Sequence, residues 1–197
     1  MRIKSLLLAG LLVCFLVLPA IAQEGTVSLN KRHHIGLVIG YVKLISDDVK
    51  DDSSGLDWSN SGHAALSYRY SINPNLDLAV DSRATFSTQT VNGVDVNLAN
   101  TYFGPGVRVI APQGKMKLFL QGNIYFVNEQ VELVQGNTKV SANETGVGFG
   151  VNGGIDIQVS RLLSIPIEAN FLFAKPQDDV SGFGISAGLT FNFGMMP

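Results

Sequence analysis

The chain has 197 residues, 46% of them apolar and only 15% charged, with a formal net charge of −2 and a single cysteine. A charge content this far below the usual quarter excludes a disordered chain and a nucleic-acid binder. Past residue 22 no apolar run approaches the roughly 18 residues that a spanning helix needs, which leaves a secreted soluble domain or a membrane β-barrel.

Residues 1–22 read as a secretory signal peptide. Arg2 and Lys4 make a positive start, Ser5 to Pro19 is mostly Leu and Val, and Ala20-Ile21-Ala22 supplies the small residues of a cleavage site. Cleavage is expected after Ala22, with residues 23–197 forming one domain. Cys14 lies in the removed segment, and bulky Val13 before it argues against lipid attachment. The mature chain then has neither a disulfide nor thiol chemistry. Arg2 and Lys4 are the only charged residues ahead of Gln23, so 12 basic residues remain against 16 acidic ones, a net charge of −4. Such a balance suggests no polyanionic partner.

The body of the chain has a period of two, and it divides into eight segments. The first, about His34 to Ile45, puts Ile35, Leu37, Ile39 and Tyr41 on one face. The second, about Trp58 to Ile72, sets Ala64, Leu66, Tyr68, Tyr70 and Ile72 against Ala65, Ser67, Arg69 and Ser71. The third, about Leu76 to Gln89, sets Leu76, Leu78, Val80, Ala84 and Phe86 against Asp77, Asp81, Arg83 and Thr85. The fourth, about Val96 to Ala111, is interrupted by Gly104-Pro105-Gly106, where a bulge or kink is expected. The fifth, about Lys115 to Glu129, has Met116, Leu118, Leu120, Ile124 and Phe126 in phase. In the sixth, about Thr145 to Val159, Val147, Phe149, Val151, Ile155 and Ile157 alternate with Gly, Asn152, Asp156 and Gln158. The seventh, about Leu163 to Ala174, sets Ile165, Ile167, Ala169, Phe171 and Phe173 against Glu168 and Asn170. The eighth, about Gly182 to Phe193, sets Phe183, Ile185, Ala187, Leu189, Phe191 and Phe193 against Gly184, Ser186, Gly188, Thr190 and Asn192.

The connections alternate in length. Asn73-Pro74-Asn75, Pro112-Gln113-Gly114 and Ser160-Arg161-Leu162 have tight-turn chemistry. Ser46–Asp57, Thr90–Asp95, Gln130–Glu144 and Lys175–Ser181 read as longer polar loops. Short turns on one rim and long loops on the other is the outer-membrane barrel arrangement.

Phase alone does not say which face points outward; size and polarity do. Eight strands enclose a lumen that side chains just fill. The polar set of Gly, Ser, Asn, Asp and Arg is small enough to fit there and can pair with itself. The Leu, Ile, Phe and Tyr set suits lipid. The segments are long enough to cross a bilayer at a tilt, and closure is obligatory there because an unpaired edge has no water to satisfy it. The expected fold is all-β: an eight-stranded antiparallel transmembrane β-barrel. The alternative is a soluble lipocalin-like barrel with the faces inverted.

The signal peptide, the eight strands, the turn Ser71-Ile72-Asn73-Pro74-Asn75-Leu76-Asp77-Leu78 and the aromatic last strand Leu189-Thr190-Phe191-Asn192-Phe193 resemble the small outer-membrane β-barrel family of the OmpX and OmpA type, in the loose sense a porin superfamily. The resemblance covers about residues 33–194. Such chains often end on an aromatic residue read by the insertion machinery; here Phe193 is followed by Gly194-Met195-Met196-Pro197. The resemblance implies an outer-membrane location and contact with membrane lipid and lipopolysaccharide.

Several motifs carry no chemistry in this setting. Gly148-Phe149-Gly150-Val151-Asn152-Gly153 matches a dinucleotide fingerprint, but strand alternation runs straight through it where a helix is required. His33 and His34 point to opposite faces of a strand and, with His63, are expected to be solvated or at a rim, too dispersed for a metal site. Ser61 and Ser67 flank His63 without a nucleophile motif. Asp47, Asp48, Asp51, Asp52 and Asp57, and Asp178 with Asp179, crowd two loops without a calcium-loop spacing. The chain is therefore expected to be no enzyme and to hold no cofactor or metal.

The constellation of most interest is Arg69, Asp77, Asp81, Arg83, Arg108, Asp156 and Glu168, three positive and four negative charges on the lumen phase. Charges withdrawn from water must pair, so these are expected to form a plug, with a narrow ion path as the other reading. Trp58, Tyr68, Tyr70, Tyr102, Phe171, Phe173, Phe191 and Phe193 are the expected interfacial aromatics. The expected function is a structural or surface-interaction barrel with four extracellular loops. Transport of small or apolar solutes is the alternative, and a soluble periplasmic carrier the second.

Overall fold

The computed structural model describes residues 32–44, 50–51, 56–57, 60–136, 138–175 and 180–194. The signal peptide, Cys14, Trp58, Asp47, Asp48, Asp52, Asp178 and Asp179 lie outside the described residues.

Eight strands form a closed antiparallel ring. They are β1 (His33–Leu44), β2 (Asn60–Asn73), β3 (Leu76–Val91), β4 (Val94–Gln113), β5 (Met116–Gln135), β6 (Thr138–Gln158), β7 (Leu163–Lys175) and β8 (Val180–Phe193). Each strand pairs with its neighbours in sequence, and β1 closes the ring on β8 from His33↔Phe193 to Leu44↔Gly182. Closure leaves no edge along the part of the wall that meets lipid, the condition for strands to lie in a bilayer.

The alternation sorts the faces as size and polarity require. Large apolar side chains point out: Ile39, Ile124 and Phe126 are 67%, 70% and 71% exposed. The buried set is largely Asp, Asn, Arg, Ser and Thr. A soluble barrel has the reverse arrangement, so the inverted-face alternative fails.

One rim holds the start of β1, the end of β8 and three tight turns. Asn73 Oδ1 accepts the Asn75 N–H at 2.8 Å, Gly114 supplies a φ of 63°, and Ser160 Oγ accepts the N–H groups of Leu162 and Leu163 at 3.2 and 3.1 Å. The other rim differs from expectation. Thr90–Asp95 is not a loop: the ladder continues to Val91↔Val94 and closes on Asn92 and Gly93 at φ 52° and 77°, the left-handed pair of a type I′ hairpin. Gln130–Glu144 is likewise paired, up to Gln135↔Thr138. Of the four long connections expected, two are thus hairpin tips. In the first, a two-residue ladder joins Lys50–Asp51 to Leu56–Asp57.

The expected bulge at Gly104-Pro105-Gly106 is absent. Register is unchanged across it, from Phe103↔Phe126 to Gly106↔Asn123 on one side and from Tyr102↔Arg83 to Val107↔Leu78 on the other. A Cβ on Gly104 would stand 1.9 Å from the Ile124 carbonyl oxygen, so glycine here permits close approach rather than extra length.

The wall is uneven in height. Strands β3 to β6 have 16, 20, 20 and 21 residues, against 12, 14, 13 and 14 for β1, β2, β7 and β8. The pairing of β6 with β7 stops at Val147↔Lys175, so residues 138–146 of β6 rise past the end of β7.

Candidate functional site in the barrel lumen

Period two sends every second residue of each strand inward, and the inward residues change character with height. Nearest the terminal rim, His34 bonds Asn192 Oδ1 at 2.6 Å and Ser71 Oγ at 2.9 Å. Ser71 in turn donates to Asp77 at 2.6 Å. Just above, Asp156 Oδ2 lies 3.4 Å from Arg108 and 3.7 Å from Arg69. Arg69 donates to Thr190 at 3.1 Å, and the Arg108 guanidinium lies 3.4 Å above the Phe119 ring.

The next tier is organised by Arg83. Its Nε and Nη2 donate to Asp81 Oδ2 at 3.1 and 3.0 Å. Its Nη1 reaches Glu168 Oε1 at 3.3 Å and Asn170 Oδ1 at 2.8 Å. Gln121 adds a 2.8 Å bond to Asp81, and Ser186 donates to Glu168 at 3.3 Å while accepting from Asn170 at 2.6 Å. Strands β3 and β7 stand four places apart in a ring of eight, as do β2 and β6. Arg83–Glu168 and Arg69–Asp156 therefore cross the full lumen. A cavity with room for about one water lies among Arg69, Arg83, Arg108, Asp81, Gln121 and Glu168.

Towards the loop rim apolar clusters join the buried polar side chains of Ser61, His63, Thr85 and Asn100. Tyr102, Tyr125, Val127, Leu172 and Ala174 form one cluster. Val42 and Leu44, with Leu98 against them, form another. The Tyr102 and Tyr125 rings meet edge to face with centroids 5.8 Å apart.

All seven lumen charges singled out from the sequence are buried in this interior. Asp77 joins through Ser71 rather than through an ion pair. Lys117, half-buried at the lumen's terminal end, adds a fourth cation to the seven charges expected there. Its signal was available: Lys117 shares a phase with Gln121 and Asn123, opposite Met116 and Leu118. His63 is a correction, since it is buried inside the lumen; His34 stands near the terminal rim as expected, but it too is buried and not solvated. Their phase matches Arg69 and Gly36, so alternation carries them inside. Among the described residues neither ring nitrogen of His63 has a hydrogen-bond partner.

The aromatics divide. Tyr68, Phe191 and Phe193 are exposed on the outer face, and Tyr70 sits with them beside His33 near the terminal rim. Phe171 and Phe173 lie near the loop rim against Phe149, at 6.3 and 5.0 Å between centroids. Tyr102 is the exception: it is 1% exposed and points into the lumen. With no bulge at Gly104, it keeps the phase of Arg108 and cannot face lipid.

Residues 9–193 match the sequence profile of the outer membrane protein beta-barrel domain. The fold is similar to Neisserial surface protein A, with a TM-score of 0.62 at 18% identity over 82% of this chain and 97% of that one. It is also similar to Ail, the attachment invasion locus protein of Yersinia pestis in complex with the heparin analogue sucrose octasulfate, with a TM-score of 0.57 at 18% identity over 81% and 99%. No curated protein matches the chain by sequence.

Proposed function

The chain belongs to the outer membrane protein β-barrel domain family, and on that premise we propose that it is a closed structural and surface-interaction barrel rather than an open pore. The observation that carries this reading is the pair of bridges across the lumen, Arg83–Glu168 at 3.3 Å and Arg69–Asp156 at 3.7 Å. An eight-stranded lumen is just wide enough for side chains, and here those side chains are tied wall to wall. The seven charges act as a plug that braces opposite strands.

The part offered to partners is the raised wall of β3 to β6. Residues 138–143 of β6, laddered to β5 on one side, extend past the last described pair with β7, and Lys139 to Asn143 are exposed. A strand edge offers a row of backbone donors and acceptors to an extended segment of another protein. Lipopolysaccharide surrounds this wall in the outer leaflet and is the other contact expected of it. Ail is seen with a sulfated sugar; the acidic balance of this chain favours a less anionic partner.

A second reading, passage of small apolar solutes, draws on the apolar clusters around Tyr102 and Val42. Planar-bilayer conductance and liposome swelling with the refolded mature protein separate the two. A closed barrel gives a silent bilayer, a heat-shifted band on an unboiled gel, and binding lost when the β5–β6 hairpin is cut back. Steady conductance or solute uptake overturns it.

A further inference from the structure

The outer face carries a polar cluster at the point where the ring closes. His33, the first residue of β1, stacks on Phe193, the last of β8, with centroids 5.4 Å apart and planes 15° apart. Its ring also lies 5.3 Å from Tyr70 and 6.1 Å from Tyr68 on β2. His33 Nδ1 is 2.7 Å from the Tyr68 hydroxyl. Arg32, the residue before, donates from Nη1 to the Tyr70 hydroxyl at 3.2 Å. Among the described residues no carboxylate pairs with Arg32.

Position gives this cluster its meaning. The termini of an outer-membrane barrel lie on the periplasmic side, so Arg32 and His33 stand at the headgroup depth of the inner leaflet. Aromatic residues with a polar tip are at home at that depth. Directly above, Ile35, Leu37, Leu66, Leu189 and Phe191 give an exposed apolar bed in the same seam. When Nδ1 accepts the Tyr68 O–H, the His33 proton is on Nε2. The guanidinium and that N–H are then two donors on one aromatic cluster, one of them cationic, at the foot of an apolar track. Gly194, turned at φ 72°, keeps the edge of the ring clear, since a Cβ there would come within 2.7 Å of His33 Cδ2.

We propose that Arg32 and His33, framed by Tyr68, Tyr70 and Phe193, form a headgroup site for a glycerophospholipid of the periplasmic leaflet. The phosphodiester takes the Arg32 guanidinium and the His33 Nε2–H, and an acyl chain lies along the β8–β1–β2 seam. A phosphodiester fits because it is an anionic acceptor present at that depth, and charge-assisted bonds to it are the strong ones. Lipopolysaccharide is confined to the opposite leaflet and does not reach this rim.

The test uses the mature protein in two micelles of equal chain length, dodecylphosphocholine, which carries a phosphodiester, and dodecylmaltoside, which does not. The His33 Nε2 and Arg32 Nε resonances are expected to move when the first replaces the second, while the Arg108 Nε resonance inside the lumen stays. In native mass spectrometry from phosphatidylglycerol nanodiscs, the wild type is expected to retain one bound phospholipid. The double variant Arg32→Gln/His33→Phe is expected to lower that retained fraction by about fivefold, the factor one basic residue contributes at an anionic surface. Arg32→Lys is expected to restore part of it. Identical spectra in the two micelles, or equal retention by wild type and the double variant, overturns the proposal. The micelle comparison needs no variant, so it stands even if the substitutions impair folding.

Discussion

The lower and middle tiers of the lumen and its upper tier are enclosed by the same eight strands, yet they fill the same cross-section with opposite chemistry. Below, Arg83, Asp81, Glu168, Arg69 and Asp156 are locked together across the ring. Above, Tyr102, Tyr125, Val127 and Leu172 pack as in an ordinary core. A polar interior is held by partners that must each be present; an apolar interior is held by area and is indifferent to any one partner. The lower tiers therefore specify the barrel and the upper tier dries its mouth. Substitutions in the two should fail in different ways.

The largest effect is expected from Arg83→Ala. It leaves Asp81 and Glu168 buried without their shared cation, a loss of about 3–5 kcal/mol. The urea midpoint of the refolded barrel should fall accordingly while the bilayer stays silent. An unchanged midpoint breaks the idea that this tier braces the wall. Leu172→Ala removes a side chain that is 2% exposed, and at a site near the mouth the cost should sit at the low end of the usual range, about 2 kcal/mol. The sharper readout is conductance. Leu172→Ser wets the upper cluster and should give brief openings that Arg83→Ala lacks, because apolar constrictions close by dewetting. Openings in Arg83→Ala and none in Leu172→Ser would reverse the roles of the tiers.

The same contrast explains what could be read from the sequence. Eight strands and their phases were legible because lipid on one side and a packed lumen on the other force a strict period of two. Above the lipid both faces meet water, and the pattern fades. Residues 128–146 carry Asn, Glu, Gln, Ser and Thr on both phases, so a ladder that runs to Gln135↔Thr138 looked like a loop. Asn92-Gly93 was the missed local sign, since this pair is the strongest short hairpin signal. Tyr102 was misplaced because a tyrosine suits an interface and a core equally, and only the unbroken register through Gly104 decides. Polar residues of the lumen were legible as a set, but the bridges were not. Which arginine meets which carboxylate depends on ring position, and Arg83 and Glu168 are 85 residues apart in the chain.

A smaller effect is expected at the hairpin tip. Gly93 sits at φ 77° with open space where a Cβ would stand, so Gly93→Ala meets backbone strain alone, about 1 kcal/mol. Amide exchange should accelerate between Gln89 and Val96 and stay unchanged at Asp81. Faster exchange at Asp81 would mean that the raised wall and the lumen unfold as one unit.

The smallest effect concerns an ion pair that looks stronger than any in the lumen. Lys139 Nζ lies 2.6 Å from Glu132 Oε2, shorter than the 3.0 Å of Arg83–Asp81. Distance does not set the energy here; surroundings do. The Lys139 side chain is 61% exposed, so water and salt screen the attraction and the flexible stem loses entropy when held. Lys139→Ala should change stability by no more than about 0.5 kcal/mol, and even that difference should vanish in high salt. Arg83→Ala should remain costly at any ionic strength, because its partners are out of reach of mobile ions. A drop for Lys139→Ala comparable to that for Arg83→Ala would mean that the hairpin wall is shielded from water, and that the region assigned here to surface contacts is already covered.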